Sequence, residues 1–507
     1  MARIFLDPVL GSHTSKVTKI VTLITACFSS CLDIMNLSAV NVAIPTIAED
    51  LGLTTSTLPW LIASYAIAFA AFLIPAGKLG DIYGYRSIFL TGMALFALTS
   101  LINAVSPNQY VLFVFRALQG LAAACNIPNG IALITNSVDD EDSRRKALSM
   151  FGGSGPIGFC IGIIFGGILS NTIGWRWIFY ISAICSALTF MLGYLYIPNP
   201  PKESEAGSID FIGFFLITAG FIFIIFPLSD GQWKLARDPV TLVIGVLLLA
   251  AFLAWEFKAN CPLIHPSWWR RPNFAVAFTV SFLNYASFAG YIYVATLMFQ
   301  DGFGYDPITT ALYYLPLGIV AFFVANSIGY LTPYTGTRLL IVIGALLATG
   351  ANIGALFYSK EIGFWPLIFP IHVIMGIGPP IVYVAAQNAM IVTAPPTEAG
   401  TLGAIYNTSA QLGSAVGLAI MTAIISGVNG EVTEGMAAYP GYHAALYALI
   451  VFEGLAVILV ALFIRNDPKQ STSEKDLEQA KVADTANDGE SEKKEYPSAT
   501  AQPERSV

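Results

Sequence analysis

Fourteen apolar runs, each close to the length a helix needs to cross a hydrocarbon core of roughly 30 Å, take up most of this 507-residue chain. They cover residues 18–45, 59–78, 86–105, 110–135, 147–170, 176–197, 209–228, 240–257, 273–299, 309–331, 338–358, 364–391, 402–427 and 443–464. A bilayer interior offers backbone amides no partner, so a spanning segment is either a helix or a strand of a closed barrel. These runs are too long for barrel strands and do not alternate. Only 11% of the residues are charged and 55% are apolar, whereas soluble domains carry about a quarter charged residues. The expected fold is all-α and integral to the membrane, with fourteen transmembrane helices.

Lysine and arginine set the orientation, because cytosolic loops keep them. With the N-terminus in the cytosol, Arg3, Lys16, Lys19, Lys78, Arg86, Arg144, Arg145, Lys146, Lys202, Lys258, Arg270, Arg271 and Arg338 fall inside, and only Arg176, Lys234, Arg237 and Lys360 fall outside. Both termini are therefore expected in the cytosol, with the first span acting as a signal anchor. Cys27, Cys31, Cys125, Cys160, Cys185 and Cys261 lie at unrelated spacings, which points to neither a disulfide framework nor a metal site. The segment 465–507 is polar and without apolar periodicity, the composition of a disordered cytosolic tail.

The turn GKLGDIYGYR at 77–86 returns as GYLTPYTGTR at 329–338. Gly77, Gly84 and Arg86 recur 252 residues later as Gly329, Gly336 and Arg338, while Asp81 becomes Pro333. The copies join spans two to three and ten to eleven, an offset of eight helices. The expected organisation is thus a cytosolic N-terminus (1–17), a six-helix half (18–197), a cytosolic linker (198–208), two inserted helices (209–257), a second six-helix half with its leading loop (258–464) and the tail. Parallel repeats of six spans are a transporter plan whose substrate site lies between the halves near the midplane.

GKLGDIYGYR resembles the signature of the major facilitator superfamily between its second and third helices, and FVFRALQGLAAA at 113–124 resembles its fourth-helix R-x-x-Q-G signature. WRWIFYIS (175–182) and IDFIGFFLITAG (209–220) resemble the fourteen-helix drug:proton antiporters, while SMFGGSGPIGFCIG and GYHAALYALIVFEGLAV are similar to a fungal branch linked to aminotriazole resistance and borate or ammonium movement. The sequence departs from the antiporter pattern at Ile163, where a fifth-helix proline is expected, and at Asn36, where drug pumps carry an acid; Asp33 lies one turn earlier. The resemblance implies export of a drug-like compound or secondary metabolite driven by protons. It also implies that Asp81 meets the positive N-terminal end of a helix of the other half when the cytosolic gate is shut.

The same resemblance has spans one, four, nine and twelve line the cavity. Helical spacing then groups their polar residues: Asp33, Asn36 and Asn41 on the first, Arg116, Gln119 and Asn126 on the fourth, Asn284, Phe288 and Tyr291 on the ninth, and His372, Tyr383 and Gln387 on the twelfth. Such a pocket suits an uncharged or weakly charged, partly apolar molecule. Asp33, near mid-span, where an ionised carboxylate costs about 2.5 kcal/mol or more, is the candidate proton carrier, with Arg116 as its partner. Gly77, Asp81, Gly84, Arg86, Gly329, Gly336 and Arg338 are candidate gate residues. Glu453 reads as a bundle-facing hydrogen-bonding group or a neutral carboxylic acid in preference to a second proton site, and the sequons at Asn36 and Asn407 lie within spans.

Other classes fit less well. His13, His265, His372 and His443 form no metal-ligand pair at helical spacing, no nucleophile elbow occurs, and AGKLG lacks the upstream glycine and hydroxyl of a phosphate-binding loop. Neither enzyme nor ATP-driven pump is indicated, and no cofactor or nucleic-acid partner is expected. The expected partners are a small-molecule substrate, protons and the lipid bilayer, with the chain a monomer in the plasma membrane or, alternatively, a vacuolar one. A facilitator or importer of ammonium, borate or an amine, and a sensor without flux, remain alternatives to export.

Overall fold

A computed structural model of the chain describes residues 16–465 apart from 54–56, 58–59, 139, 199–209, 231–236, 260–261, 393, 396–397 and 430–438. Arg3, His13, Lys202, Lys234, Cys261, most of the expected linker and the tail from residue 466 lie outside the described residues. Fourteen helical spans are present among those described. The N-terminal half comprises α1 (Lys16–Leu51), α2 (Trp60–Tyr83), α3 (Tyr85–Ala104), α4 (Gln109–Ser137), α5 (Glu141–Thr172) and α6 (Arg176–Tyr196). Then come α7 (Phe211–Asp230) and α8 (Arg237–Glu256), followed by α9 (Phe274–Leu297), α10 (Pro307–Tyr313), α11 (Leu315–Thr335), α12 (Thr337–Ala355), α13 (Phe369–Ile391), α14 (Ala399–Asn429) and α15 (Tyr439–Phe463). The short α10 and α11 share the tenth span, broken at Tyr314.

The side on which α1 begins is called the near side, and the opposite one the far side. Helices exceed the apolar runs at their ends: α1 has 36 residues, about 54 Å at 1.5 Å per residue, so it projects past the hydrocarbon layer. Capping explains the start of α5 at Glu141, where the Asp140 side chain accepts from the Ser143 amide. Pro156 sits inside a continuous α5, while Ile163 is buried in its regular helix.

Neighbour relations repeat with an offset of eight spans. In the first half α1 packs on α4, α5 and α6, α2 on α4, and α3 on α4 and α6; in the second α9 packs on α13, α14 and α15, α11 on α13, and α12 on α13 and α15. Small residues make the same contact in both. Gly158 and Gly162 of α5 bring it against the backbone at Cys31 and Met35, and Gly413 and Gly417 of α14 lie against Phe282 and Ala286 of α9, where an added Cβ would come within 2.1–2.4 Å of a carbonyl oxygen. Without a hydrophobic drive between helices in lipid, such close backbone approach is what holds them together. The halves meet through α5 with α11 and α2 with α14, and the pair α7 and α8 packs at the side against α2 and α14.

Candidate functional site

A cavity of about 320 Å³ lies between the halves. Its wall is largely apolar and aromatic, with Phe69, Phe151, Phe159, Tyr285, Phe288 and Tyr383 among its residues. Asp33 supplies the one ionisable acid among the lining residues, and Asn284, Asn407 and Gln411 add amides. Tyr285 and Tyr383 meet with their rings tilted at 55° and their centres 5.0 Å apart, and Tyr383 donates to Asn407 Oδ1 at 2.8 Å. Pro379 and Pro380 remove two amide donors from α13 at the wall, and Asn284 Nδ2 donates to the Pro379 carbonyl at 3.3 Å.

Of the residues expected to line it, Asp33, Asn284, Phe288 and Tyr383 do so, and the others are placed elsewhere. Asn41 is exposed on the outer face of α1. Asn126 is packed into α3, its Oδ1 filling the space that a side chain at Gly92 would need. Tyr291 and His372 belong to a separate aromatic cluster, in which Tyr291 shares a 2.6 Å hydrogen bond with Tyr358 and the His372 ring is 5.1 Å from that of Tyr314. Gln387 is buried on α13 and contributes no lining atoms. Only Ile127 of α4 reaches the wall, whereas α5, α11 and α14, which polar spacing did not single out, line it extensively. The lining residues of α5 and α11 are apolar or glycine, so no polar stripe marks them, while α14 brings Asn407 and Gln411 with Ala410.

Behind Asp33 lies a buried polar network. Arg116 is 0% exposed; its Nη1 donates to Asn36 Oδ1 at 2.8 Å and to Gln119 Oε1 at 2.9 Å, and its Nε to the Leu61 carbonyl at 3.3 Å. Asn36 passes the chain on to Ser182 of α6 at 3.0 Å, and Gln119 to Ser100 of α3 at 2.7 Å. Asn36, Arg116 and Gln119 are thus brought together, away from the cavity. Tyr65 of α2 joins this network to Asp33: its hydroxyl donates to the Asp33 carboxyl, and its ring lies under the Arg116 guanidinium, 4.5 Å from centre to carbon. The Tyr65 backbone is fixed in turn, because α4 approaches it at Gly120, where a Cβ would come within 2.2 Å of the Tyr65 carbonyl. Sequence spacing missed Tyr65, which sits in an apolar run; its only signal was a hydroxyl in the middle of span two.

On the near side the repeated turns are built alike. Gly84 and Gly336 both take positive φ, +95° and +77°, a conformation that L side chains disfavour. Arg86 donates to the carbonyl of Tyr194 at the end of α6, and Arg338 does the same to Ala461 at the end of α15, each meeting orphan carbonyls of a helix C-terminus. Gly77 lies against Gly400 and Ala404 of α14, and Gly329 against Arg145 and Lys146 of α5, so each turn seats the opposite half.

The acid differs for a local reason. Asp81 accepts from the Thr401 hydroxyl in the first turn of α14, a turn with no acidic residue of its own. By contrast, α5 is capped by Asp140 and carries Glu141 and Asp142 in its first turn. Hydrogen bonds from the Ser143 hydroxyl and amide hold the Asp140 carboxyl below the ordinary carboxylate range. A second acid at Pro333 would meet a helix start that already carries its negative charge. Further near-side ties between the halves run from Asn388 to Ser149 at 3.2 Å and from Arg144 to the Val392 carbonyl at 3.4 Å.

Comparison with known proteins completes the description. A family model described as Major Facilitator Superfamily matches residues 26–418 and 336–498. The "Major facilitator superfamily multidrug transporter mfsC" of Aspergillus fumigatus is 30% identical over 463 residues, 89% of this chain and 88% of that protein. The "Low affinity ammonium transporter" of Saccharomyces cerevisiae is 26% identical over 432 residues, 82% of this chain and 83% of that protein. In fold, the chain is similar to the crystal structure of the human organic anion transporter MFSD10 (TETRAN), with a TM-score of 0.65 at 12% identity, over 87% of this chain and 99% of that one.

Proposed function

The chain belongs to the Major Facilitator Superfamily, and on that premise we propose that it exports a hydrophobic, drug-like organic molecule in exchange for protons. The observation that carries this reading is the cavity between the halves, apolar and aromatic on most of its wall, with a single carboxyl, Asp33, set into it. Apolar lining binds an organic molecule through area removed from water, roughly 25 cal/mol per Å², and a few amides orient it. A bare ion or a small hydrated solute gains little from such a wall. The name of the A. fumigatus relative supports drug export.

The near side, rich in lysine and arginine, is read as cytosolic, and the membrane as the plasma membrane. The Asp81, Asn388 and Arg144 ties then make the present state one with its cytosolic gate shut. In that state a proton from outside reaches the Asp33 carboxyl through the cavity and neutralises a charge that is costly at mid-membrane. Neutral Asp33 no longer attracts the Tyr65 hydroxyl as an ionised acceptor does, and α2, which carries Tyr65 near its start and Asp81 near its end, is the element that relays this change to the gate. Release of the proton on the cytosolic side resets Asp33.

A second reading, a facilitator or importer of a small solute, is favoured by the yeast ammonium transporter among the relatives. Purified protein in proteoliposomes with an imposed pH gradient, offered ethidium, labelled apolar metabolites, methylammonium and borate, separates the two. Uphill movement of the organic probes supports export; flux confined to methylammonium or borate supports the second reading, and no flux of any probe would make the chain a sensor.

A further inference from the structure

The C-terminal half repeats the polar cluster around Arg116 with the guanidinium missing and an acid added. The 251-residue offset that relates Cys31 to Phe282 in the helix contacts also relates Asn36 of α1 to Ser287 of α9. The 252-residue offset of the repeated turn relates Ser100 of α3 to Asn352 of α12. The counterpart of α6 is α15, which brings Glu453 to the same junction, while α13, the counterpart of α4, carries no lysine or arginine. In the first half, guanidinium donors satisfy the amide oxygens of Asn36 and Gln119. In the second half α9, α13 and α15 carry no lysine or arginine, and Arg338 of α12 donates to the Ala461 carbonyl.

The atoms at this junction are oxygen acceptors in excess. Asn352 Nδ2 donates to Ser287 Oγ at 3.1 Å, and Ser287 Oγ lies 3.5 Å from the Leu449 carbonyl and faces the Glu453 carboxyl. Glu453, Asn352 and Ser287 are 0%, 0% and 1% exposed. Both Glu453 oxygens and Asn352 Oδ1 lack a donor in hydrogen-bonding geometry. An ionised carboxylate so placed would be a buried charge without a counter-ion, whose removal from water costs several kcal/mol. The titratable side chains on the helices packed against it are engaged elsewhere: Tyr285 with Tyr383, Tyr291 with Tyr358, Tyr293 toward Tyr442, Arg338 with Ala461 and Tyr406 with the Tyr383 carbonyl. One added proton turns an acceptor into a donor and removes the charge.

We propose that Glu453, buried beside the hydrogen-bonded pair Ser287 and Asn352, is a second exchangeable proton site, the counterpart in the C-terminal half of the Arg116 cluster. It rests on the proton-coupled reading above. Loading adds one proton to the carboxylate and unloading returns it, with no other bond made or broken. The two halves then each hold one exchangeable carboxyl, Asp33 and Glu453, so a cycle that empties both moves two protons.

Infrared pH titration of the full-length purified protein in lipid tests the site without any transport substrate. A buried carboxylic-acid band that grows as the pH is lowered, persists in Asp33→Asn and is lost in Glu453→Gln supports the proposal. A Glu453 band indifferent to pH, the lack of any such band, or a band removed by sodium chloride in place of a pH rise would overturn it, the last in favour of a sodium site. Ser287→Ala, which leaves the acid in place, is expected to move the midpoint of the Glu453 band; an unmoved midpoint contradicts the assigned surroundings. With ethidium as probe, the steady-state gradient per unit of imposed pH difference is expected to fall about tenfold in Glu453→Gln, the loss of one coupled proton. An unchanged gradient overturns the coupling role. If wild-type protein moves no ethidium, the coupling claim falls with the export reading, and the infrared result alone decides the proton site.

Discussion

At the scale of single residues, Asp33, Tyr65 and Arg116 carry the most chemistry. Asp33→Asn removes the proposed proton carrier and is expected to abolish pH-driven uphill transport while leaving insertion intact, as judged by flux and by the yield of monodisperse protein. Tyr65→Phe keeps the ring under Arg116 and removes only the hydroxyl bonded to Asp33. A hydrogen bond to a charged group is worth about 1.5–3 kcal/mol, so coupled transport should drop by about tenfold or more, and a rate equal to wild type would remove Tyr65 from the pathway. Arg116→Lys loses the simultaneous bonds to Asn36, Gln119 and Leu61, since an ammonium has no planar fork. The polar stripe on α4 was legible from spacing, but spacing says which residues share a face and not what that face meets. In α4 the stripe is turned toward α1, α2 and α3: Arg116 bonds Asn36 and the Leu61 carbonyl, Gln119 bonds Ser100 and Asn103, and Asn126 packs against Gly92. Asp33, Phe288 and Tyr383 reached the cavity wall as spacing implied, because their helices present that face to the other half.

At the scale of elements, the near-side latch joins α2 to the start of α14. Asp81→Asn is expected to leave folding nearly unchanged and to raise the labelling of cysteines placed at the near-side gate, with slower transport. Pro333→Asp should not rescue it, because the acid would face α5, whose first turn is already acidic; rescue would refute the account of the asymmetry. The low-lying Asp140 carboxyl is depressed in the folded state. Its contribution to the α5 cap is therefore present above the ordinary aspartate value of about 3.9 and is lost as the pH falls through its lower folded value. The fourteen spans were legible because each must hide a full set of apolar side chains in lipid. Their ends were not, since extensions such as Ala48–Leu51 of α1 and the first turn of α5 are fixed by capping and by contacts outside the hydrocarbon. The break at Tyr314 also left no mark in hydropathy: Pro316, just beyond it, lies in the first turn of α11, where proline is tolerated.

At the scale of the whole molecule, the eightfold helix offset seen in one repeated turn extends to helix contacts, glycine seats and arginine caps. Two similar halves that share one cavity can rock about it, and the near-side ties are contacts that must break when they do. The unrepeated features fall at the places where the two halves need different chemistry: Asp81 against Pro333, and Arg116 against Glu453. Of the inserted pair, α7 stands beside α2 and α14 and α8 packs on α7, and neither lines the cavity. The central claim is that a proton gradient drives an apolar organic molecule through this cavity by way of Asp33. Accumulation of a labelled, uncharged apolar metabolite in proteoliposomes of purified protein, with the pH difference as sole energy source, measures it directly. The account predicts accumulation above the equilibrium distribution that collapses when the gradient is dissipated and does not occur in Asp33→Asn. Equal accumulation by wild type and Asp33→Asn under the same gradient would contradict it.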